Sequence, residues 1–542
     1  MPEFDVVVLG GGTAGAHVAA EVATGGRSVA LVEAGLVGGE SPYLACLPSA
    51  TLLEAAGRGE AWENAVARRD EVTNQLNDSS AASRLTEAGV TLLRGTGQVT
   101  RPGTVTVSAY PDNDGTADGA DGPGRTVELS YRDLVLSTGS EPVAPPIEGL
   151  SDIATWTSAG ALSSPDLPRR LVVLGGGSAG CELAQIYAAF GSQVTLVEAE
   201  GMLLPAEASF AGEILAEALR RTGVDVRLGS AAVKAERTDD GLTLILADGA
   251  RIEADRVLLA TGRRPRISGL GLDSLGVDLK PGTAIPVDTT CRVVTKGSDG
   301  DTAGLWAAGD VTGLGTHTHT ARYQAGVVAA NILGQRREAD YRAIPRAIYT
   351  MPAVFAVGAS PQGAAETGVE LVTAGADLAG TARALVAGED AGRVELYAHP
   401  ESKVLLGAAA VGPNAPDWMG EVTVAIRAGV PLPVLADTVH AFPTYSEALE
   451  PVLRELAGKL TAQPEDNGSS RERAGSTPAV PESPAPAASL SGSGEDRRDR
   501  PGGGAGIDGA ASDGLASDGG NRRATMAEPR AAADTDARSA AS

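Results

Sequence analysis

Short runs of consecutive apolar residues alternate with stretches of helical periodicity through most of the chain. Val6–Leu9 and Leu171–Leu174 are uninterrupted apolar runs, and each leads directly into glycines. Strands that are buried on both faces of a parallel sheet have this composition. Strands that alternate with helices are typical of parallel α/β units. The pattern therefore predicts an α/β fold with two Rossmann-like nucleotide-binding domains.

Two later segments depart from this pattern. From about residue 340, β-rich runs such as Val404–Ala408 precede a predicted helix from about Glu421 to Gly429, and no glycine-rich phosphate loop follows. This region predicts an α+β domain. From about Gln463 the chain consists almost entirely of Gly, Ser, Ala, Pro, Asp and Arg. Because such a segment cannot bury enough apolar surface to offset its ordering entropy, we expect residues 463–542 to form a disordered tail.

The first apolar strand leads into a glycine-rich loop that opens a predicted helix (Ala16–Ala23). The loop reads Gly10-Gly11-Gly12-Thr13-Ala14-Gly15, and Glu33 follows the next predicted strand, Val29–Val32. Glycines permit a tight turn and a close approach of backbone N–H groups to a pyrophosphate, and a helix N-terminus favours the anion. The carboxylate can accept hydrogen bonds from the ribose hydroxyls. The segment therefore predicts a dinucleotide site.

The same fingerprint occurs a second time in the chain. Gly175, Gly177, Gly180 and Glu198 repeat Gly10, Gly12, Gly15 and Glu33 at one constant offset of 165 residues. One glycine-rich loop is weak evidence, but two complete copies in the same context predict two dinucleotide sites. At the second site a carboxylate accepts the 2′-hydroxyl of NAD and repels the 2′-phosphate of NADP. Ala199 and Glu200 follow Glu198 where an arginine would favour NADP, so the sequence favours NADH.

A shorter repeat ends two further apolar strands. These segments are Leu136-Ser137-Thr138-Gly139 and Leu259-Ala260-Thr261-Gly262. Taken alone, each Thr-Gly pair is only a turn. A later strand, Leu305-Trp306-Ala307, leads into Gly309-Asp310, which could place a carboxylate beside a polar cofactor chain.

Charge and cysteine content exclude several classes of protein. The 542 residues predict three or four folded units, and the net charge of −25 argues against a nucleic-acid or anionic-membrane partner. Cys46, Cys181 and Cys291 are too widely spaced for a disulfide framework or a metal site, which indicates a reducing compartment. Met1–Asp5 has no basic leader, and no apolar stretch reaches the ~20 residues of a membrane span. We expect a cytoplasmic protein with no membrane span.

Together these motifs resemble the pyridine nucleotide-disulfide oxidoreductases, the family of dihydrolipoamide dehydrogenase, glutathione reductase and mercuric reductase. The resemblance covers about residues 4–460. It implies an FAD-binding domain (1–150 and 275–335), an NAD(P)-binding domain (151–274) and a dimerisation domain (336–462) that forms a homodimer. The implied FAD contacts are Gly10, Gly12, Thr13, Ala14, Gly15, Glu33, Thr138, Gly139 and Asp310. The implied NAD contacts are Gly175, Gly177, Gly180, Glu182, Glu198 and Gly262.

The chain departs from the family at its redox-active helix. The family has two cysteines separated by four residues, and a lysine that lies close to the flavin follows the second. Here Ser41 occupies the position of the first cysteine, Cys46 that of the second and Ala50 that of the lysine. Glu182, which pairs with the lysine in the family, loses that partner.

The C-terminal acid–base motif departs as well. The family has His-x-His-Pro-Thr followed by Ser-Glu. In this chain Phe442 occupies the catalytic histidine position, and His440 matches the earlier histidine. Glu447, which orients the catalytic histidine in the family, is retained and stays a candidate catalytic residue.

These departures predict a change of substrate. A dithiol relay needs two thiols and a base, so we expect the disulfide chemistry to be absent or residual. The sequence predicts an FAD-dependent NAD(P)H oxidoreductase that passes a hydride from NADH to FAD and then electrons to a quinone, a dye or oxygen. The alternatives are a non-catalytic FAD-binding scaffold, a single-thiol redox enzyme that uses Cys46, and residual dihydrolipoamide dehydrogenase-like activity.

The remaining candidate side chains are the three cysteines and two closely spaced histidines. Cys46 is either a buried structural thiol or a thiolate at a helix N-terminus beside the flavin. Cys181 and Cys291 are expected to be inert core residues. His317 and His319 alternate in Thr316-His317-Thr318-His319, and we expect cofactor contact or packing there in preference to a metal.

Overall fold

The apolar run at the N-terminus forms the middle of the first sheet. The computed structural model describes residues 1–110, 126–277, 279–294, 304–388 and 391–461. Its first strands are β1 (Glu3–Leu9), β2 (Val29–Glu33), β3 (Val90–Arg101), β4 (Thr104–Ala109), β5 (Thr126–Leu136) and β6 (Ser140–Pro142). Its first helices are α1 (Thr13–Thr24), α2 (Glu40–Tyr43), α3 (Cys46–Gly57), α4 (Trp62–Val72) and α5 (Ser79–Glu87).

In this sheet β1 pairs in parallel with β2 on one side and with β5 on the other. β3 extends the parallel pairing beyond β2, and β4 pairs antiparallel with both β3 and β5. The chain therefore reverses its direction of winding between β1 and β5. In open α/β sheets, ligands bind at the carboxyl ends of the strands beside such a reversal.

The second nucleotide-type sheet follows the same plan. Its segment contains β7 (Thr155–Thr157), β8 (Arg170–Leu174), β9 (Gln193–Val197), β10 (Asp225–Arg227), β11 (Ala232–Thr238), β12 (Gly241–Leu246), β13 (Arg251–Ala254), β14 (Arg256–Leu259) and β15 (Arg263–Pro265). The helices are α6 (Ser158–Ser163), α7 (Ser178–Ala189) and α8 (Ser209–Arg221). The order of the parallel sheet is β10-β9-β8-β14-β7, and β11-β12-β13 form a separate antiparallel sheet.

The chain then returns to the first sheet before it enters the C-terminal antiparallel sheet. β16 (Leu305–Ala307) pairs in parallel with β5, and α9 (Thr318–Ile332) packs beside α1. The later strands are β17 (Pro345–Ile348), β18 (Ala353–Gly358), β19 (Val372–Asp377), β20 (Arg393–Ala398) and β21 (Leu405–Gly412). They form an antiparallel sheet in the order β17-β18-β21-β20-β19. The helices are α10 (Pro361–Thr367), α11 (Ala382–Ala387), α12 (Ala415–Trp418), α13 (Gly420–Ala428), α14 (Leu432–Ala436) and α15 (Leu449–Thr461).

One apolar core joins the first two nucleotide-type units. Leu52 of α3 and Trp62 of α4 belong to the same buried cluster as Ile186 and Tyr187 of α7. The Trp62 and Tyr187 rings lie 5.6 Å apart, and the Trp62 indole N–H donates a hydrogen bond of 2.8 Å to the carbonyl of Pro165. Since burying one large apolar side chain contributes roughly 2 kcal/mol, this shared core fixes α3 against α7.

The predicted fold class is confirmed: two Rossmann-like α/β units precede an α+β unit. Element boundaries differ by a few residues, since α1 begins at Thr13 and not Ala16, and β21 begins at Leu405 and not Val404. The tail predicted for residues 463–542 lies outside the described residues. Within the residues that the structure describes, no helix combines the length and the apolar character that crossing a bilayer requires.

Candidate functional site

The first glycine-rich loop joins β1 to α1 beside β5. Gly10 adopts a φ of +97°, and a Cβ atom there would clash with the Ser137 carbonyl at the end of β5. A Cβ at Gly15 would clash with the Gly10 carbonyl, which shows how closely α1 packs on the loop. At Gly12, by contrast, the nearest atom to a Cβ would be the Gly39 Cα at 3.9 Å. This loop therefore leaves free space at the N-terminus of α1.

The second loop repeats these relationships between β8 and α7. Gly175 has a φ of +106°, and a Cβ there would clash with the carbonyl of Ala260 at the end of β14. A Cβ at Gly180 would clash with the Gly175 carbonyl, and one at Gly177 would meet nothing within 4 Å. Both loops thus provide unobstructed backbone N–H groups at a helix N-terminus, which fits the pyrophosphate of a dinucleotide.

The two acidic residues hold equivalent positions at these loops. Glu33 accepts hydrogen bonds from the N–H groups of Gly11 and Gly35, the latter at 2.5 Å. Glu198 accepts from the N–H groups of Gly176 (2.5 Å) and Glu200 (2.8 Å). A carboxylate fixed by two backbone donors still has acceptor capacity for ribose hydroxyls. The two fingerprints, which are 165 residues apart in the sequence, therefore also form equivalent hydrogen bonds.

The two Thr-Gly segments connect the nucleotide-type units. Thr138 donates a hydrogen bond of 2.6 Å to the Arg266 carbonyl, and Thr261 donates one of 2.7 Å to the Val143 carbonyl. Gly139 and Gly262 both have positive φ, and a Cβ on either would meet nothing within 4 Å. These segments lead into β6 and β15, which pair antiparallel as a two-stranded connection.

Asp310 lies beside this connection. The Ser140 hydroxyl donates a hydrogen bond of 2.7 Å to the Asp310 carboxylate and accepts one of 2.8 Å from Arg263. The Arg263 guanidinium also pairs with Glu40 at 2.7 Å, immediately before Ser41 in the chain. The Asp310 carboxylate is thus held at the carboxyl end of the first sheet, where the sequence placed it.

Thr318, the first residue of α9, contacts both Ser41 and Cys46. The Thr318 hydroxyl donates a hydrogen bond of 2.9 Å to the Ser41 hydroxyl, and its oxygen lies 3.4 Å from the Cys46 sulfur. Cys46 is exposed at the first position of α3. The reading of Cys46 as a buried structural thiol is therefore wrong, because its short side chain projects from the beginning of a helix.

Glu182 has acquired other partners in place of the lysine. Its carboxylate accepts hydrogen bonds from the Ser49 hydroxyl at 2.6 Å and from the Tyr349 N–H at 2.9 Å. Burial raises the pKa of Glu182, and both hydrogen bonds oppose that rise. Burial together with the charges of Glu182 and Cys46 also raises the pKa of Tyr349. The carboxyl group thus joins α3 and α7, and its assignment to the NAD site stays a prediction.

Glu447 also has partners other than the missing histidine. Its carboxylate accepts hydrogen bonds from the N–H groups of Ala382 and Thr444, both at 3.3 Å. Phe442 is 78% exposed. His440 lies between two carboxylates, with its ring nitrogens 2.9 Å from Glu421 and 3.4 Å from Glu450. Glu447 and His440 therefore fasten the loop that carries Phe442.

The two other cysteines are buried, as expected, and two neighbouring histidines stack on each other. Cys181 and Cys291 are fully buried, and burial raises the pKa of both thiols, that of Cys291 to about 11. The rings of His317 and His319 stack with centroids 5.1 Å apart. Burial lowers the pKa of His317 to about 4. In the part of the chain that the structure describes, no cluster of three or more His, Cys, Asp or Glu side chains could hold a metal ion.

Sequence reasoning missed three of the residues that organise this site: Thr318, Tyr349 and Ser140. Thr318 stands in the segment that drew attention only for its histidines. Its hydroxyl contacts both Ser41 and Cys46, the two positions that match the family's cysteine pair. A hydroxyl residue at the start of the helix after Asp310 was the available signal, but nothing local indicates its partner.

Comparison with known proteins agrees with this architecture. The sequence matches the family model described as pyridine nucleotide-disulphide oxidoreductase over residues 4–325. Residues 344–452 match the dimerisation domain of the same family.

Similar curated proteins include two dihydrolipoyl dehydrogenases. The chain is 32% identical over 469 residues to dihydrolipoyl dehydrogenase 3 of Haloarcula marismortui, which covers 82% of this chain and 94% of the relative. It is 31% identical over 456 residues to dihydrolipoyl dehydrogenase of Geobacillus stearothermophilus, with the same coverage of 82% and 94%.

Similar solved structures include the HOCl-induced flavoprotein disulfide reductase RclA from Escherichia coli. That structure has a TM-score of 0.73 and 26% identity, and the match covers 83% of this chain and 99% of RclA. LpdA from Mycobacterium tuberculosis has a TM-score of 0.73 and 25% identity, with coverage of 84% and 100%.

Proposed function

This chain belongs to the pyridine nucleotide-disulphide oxidoreductase family, and on that premise we propose that it oxidises NADH and reduces an acceptor that is not a disulfide. The family makes it an FAD-dependent NAD(P)H oxidoreductase, and the dimerisation domain makes it a homodimer. The acceptor class that we propose is a quinone, a dye or oxygen. The preference for NADH over NADPH is part of the proposal.

Both cofactors fit the residues present. FAD would be held at Gly10, Gly12, Thr13, Ala14, Gly15, Glu33, Thr138, Gly139 and Asp310. The nicotinamide dinucleotide would be held at Gly175, Gly177, Gly180, Glu198 and Gly262. When bound, the two cofactors supply hydride transfer. The protein supplies the free space at Gly12 and Gly177 and the fixed carboxylates of Glu33 and Glu198.

The observation that carries the proposal is the contact of the Cys46 sulfur with the Thr318 hydroxyl, which in turn donates a hydrogen bond to the Ser41 hydroxyl. A disulfide relay needs a second thiol next to the first. The side chain that contacts the Cys46 sulfur is the Thr318 hydroxyl, and the next side chain along is the Ser41 hydroxyl. Cys181 and Cys291 are buried elsewhere with raised pKa values. A single thiol can form a mixed disulfide but has no neighbour to resolve it.

The preference for NADH rests on Glu198. Its carboxylate accepts two backbone hydrogen bonds, and Glu200 follows two residues later. A 2′-phosphate at this position would meet negative charge, whereas a 2′-hydroxyl could donate to it.

One observation favours a second candidate function. Cys46 is exposed at the N-terminus of α3, so an oxidant or a substrate in solution can reach its sulfur. A single-thiol enzyme in which Cys46 cycles through a sulfenic acid would use this position.

Steady-state kinetics of the holoenzyme would separate these functions. NADH oxidation is measured with menadione, with dichlorophenolindophenol and with lipoamide as acceptor, for the wild type and for Cys46→Ser. We expect turnover with the first two acceptors that survives Cys46→Ser, because that path needs no thiol. Turnover of lipoamide on the order of 10 per second would contradict the proposal. Loss of nearly all activity in Cys46→Ser would favour the single-thiol enzyme.

A further inference from the structure

A surface cavity of about 420 Å³ lies at the start of α9. Its lining residues are Thr318, His319, Arg322 and Tyr323. Thr318 contacts both Ser41 and Cys46, so the cavity adjoins the segment where the family carries its redox disulfide. Cavities of about 300–1,000 Å³ accommodate small organic ligands, and this one has room for a molecule of two fused rings.

The charge around the cavity is locally positive. Arg322 is exposed and has no hydrogen-bond or ion-pair partner among the residues that the structure describes. Arg337 places its guanidinium 5.7 Å from the centroid of the Tyr323 ring. Asp340 donates its backbone N–H to the Tyr323 hydroxyl, but its carboxylate is already paired with two other arginines, Arg342 at 2.6 Å and Arg427 at 2.7 Å.

The lining also offers an aromatic face and a fixed imidazole. Tyr323 contributes its ring, and His319 is held by a contact of 2.7 Å between its Nε2 and the Pro345 carbonyl oxygen. Because a carbonyl oxygen only accepts, Nε2 carries the proton in this contact. An aromatic ligand could pack against the part of the Tyr323 ring that lines the cavity, beside the contacts of that ring with Arg337 and Tyr341, while an anionic substituent pairs with the guanidinium of Arg322.

We propose that this cavity binds the oxidising substrate, and that the substrate is an aromatic acceptor with an anionic substituent, such as a sulfonated or carboxylated quinone. This inference rests on the proposed function and names its acceptor class. The chain carries a net charge of −25, so an anionic acceptor needs a local cation to approach the protein. Arg322 is the specificity-determining residue that supplies it.

The overall reaction balances without a thiol. NADH gives up a hydride, which carries two electrons and one proton, and becomes NAD⁺. The quinone takes up two electrons and two protons on its two carbonyl oxygens and becomes a hydroquinone. The second proton comes from the solvent.

The kinetic test compares two acceptors that share one ring system. The holoenzyme is assayed with 1,4-naphthoquinone and with its 2-sulfonate, for the wild type, Arg322→Gln and Arg322→Lys. Arg251→Gln removes the same charge from an exposed arginine on β13 and is the control. We expect Arg322→Gln to lower kcat/KM for the sulfonate about tenfold and to leave the neutral quinone nearly unchanged. Arg322→Lys should retain most of the activity with the sulfonate.

An equal loss for both quinones in Arg322→Gln, or no loss for either, would overturn the proposal. A second measurement does not depend on turnover. Naphthalene-2-sulfonate has the rings and the anion but cannot be reduced, and its binding to the holoenzyme without NADH is measured by calorimetry. We expect binding to the wild type that weakens about tenfold in Arg322→Gln and with added salt.

These arms separate the acceptor class from the proposed function. If the wild type oxidises NADH with neither naphthoquinone and also with none of menadione, dichlorophenolindophenol and oxygen, the proposed function has failed, and calorimetry alone decides the ligand class. Weaker naphthalene-2-sulfonate binding in Arg322→Gln then supports an anion site at this cavity, and equal binding in both proteins overturns it.

Discussion

The Ser49 hydroxyl donates a hydrogen bond of 2.6 Å to the Glu182 carboxylate, across the contact between α3 and α7. The same carboxylate accepts from the Tyr349 N–H at 2.9 Å. Neither donor carries a charge. Burial therefore opposes the ionisation of Glu182 without a charged partner in these contacts to offset it.

Glu182→Gln should change how stability depends on pH. Burial raises the pKa of Glu182 above its ordinary value of 4.5, so the folded state retains the proton to a higher pH than the unfolded state. The free energy of unfolding therefore falls as pH rises from about 4.5 through the raised pKa. Glutamine can keep both contacts, because its oxygen can accept from the Tyr349 N–H while its amide N–H donates to the Ser49 hydroxyl oxygen, and it does not titrate. We expect the Tm of the variant relative to the wild type to increase with pH.

The measurement is thermal unfolding across that pH range. Glu213→Gln on the exposed face of α8 is the matched control, and it should run parallel to the wild type. A constant difference between Glu182→Gln and the wild type at every pH would contradict the assignment.

The two nucleotide loops could be predicted from the sequence because each is a local structure. The glycines, the carboxylate and its backbone donors lie within 26 residues of one another in each copy, as the range from Gly10 to Gly35 illustrates. The constant offset between the copies therefore predicted that the two loops would have the same local structure. The fold class followed for the same reason, since strand and helix periodicity are local features.

The contacts of the segment that contains Ser41 and Cys46 could not be predicted from the sequence in this way. Cys46 and Thr318 are 272 positions apart in the chain, and a hydroxyl that bridges two side chains has no periodicity. Glu182 was predicted to lose its lysine, but its new partners, Ser49 and the Tyr349 N–H, come from two different units of the fold. Such contacts depend on how the units pack together.

Valine at Gly12 and valine at Gly177 should separate the two nucleotide sites. A side chain at either position meets free space within the protein, so the fold tolerates it, but it blocks the approach of a pyrophosphate. Gly12→Val should purify without flavin and without its visible absorbance. Gly177→Val should keep its flavin and bind NADH at least about tenfold more weakly.

Flavin content is measured by absorbance after purification, and NADH binding by anaerobic titration of that absorbance. Gly458→Val on α15 also places a side chain in open space and should alter neither quantity. Loss of flavin in both loop variants to the same extent would show that the two loops do not act separately.

His317→Gln should flatten the acid side of the stability profile. Burial lowers the pKa of His317 from 6.5 to about 4, so the unfolded state binds the proton first as pH falls. The free energy of unfolding is therefore lost between about pH 6.5 and pH 4, to an extent on the order of 3 kcal/mol at most. Urea unfolding at several pH values measures it. His17→Gln on the exposed side of α1 is the control, and an unchanged slope in His317→Gln would refute the assignment.

The last prediction concerns the number of electrons that the protein can hold. Ser41 and Cys46 share Thr318 as a neighbour, since its hydroxyl lies 2.9 Å from the Ser41 oxygen and 3.4 Å from the Cys46 sulfur. With an oxygen in place of the first sulfur, no disulfide can form at these positions. We therefore expect anaerobic titration to require one NADH per FAD.

Ser41→Cys should raise this requirement to two NADH per FAD, because a thiol at position 41 could form a disulfide with Cys46 that accepts two further electrons. Ser41→Ala removes the hydroxyl without adding a thiol and should stay at one. Turnover of lipoamide should remain low in Ser41→Cys, since Phe442 supplies no base, and should increase when Phe442→His is added. Mass spectrometry before and after reduction would detect the new disulfide independently of the flavin. A wild-type protein that already consumes two NADH per FAD would mean that a second redox group exists in the chain, and the assignment of Ser41 as the missing thiol would then be wrong.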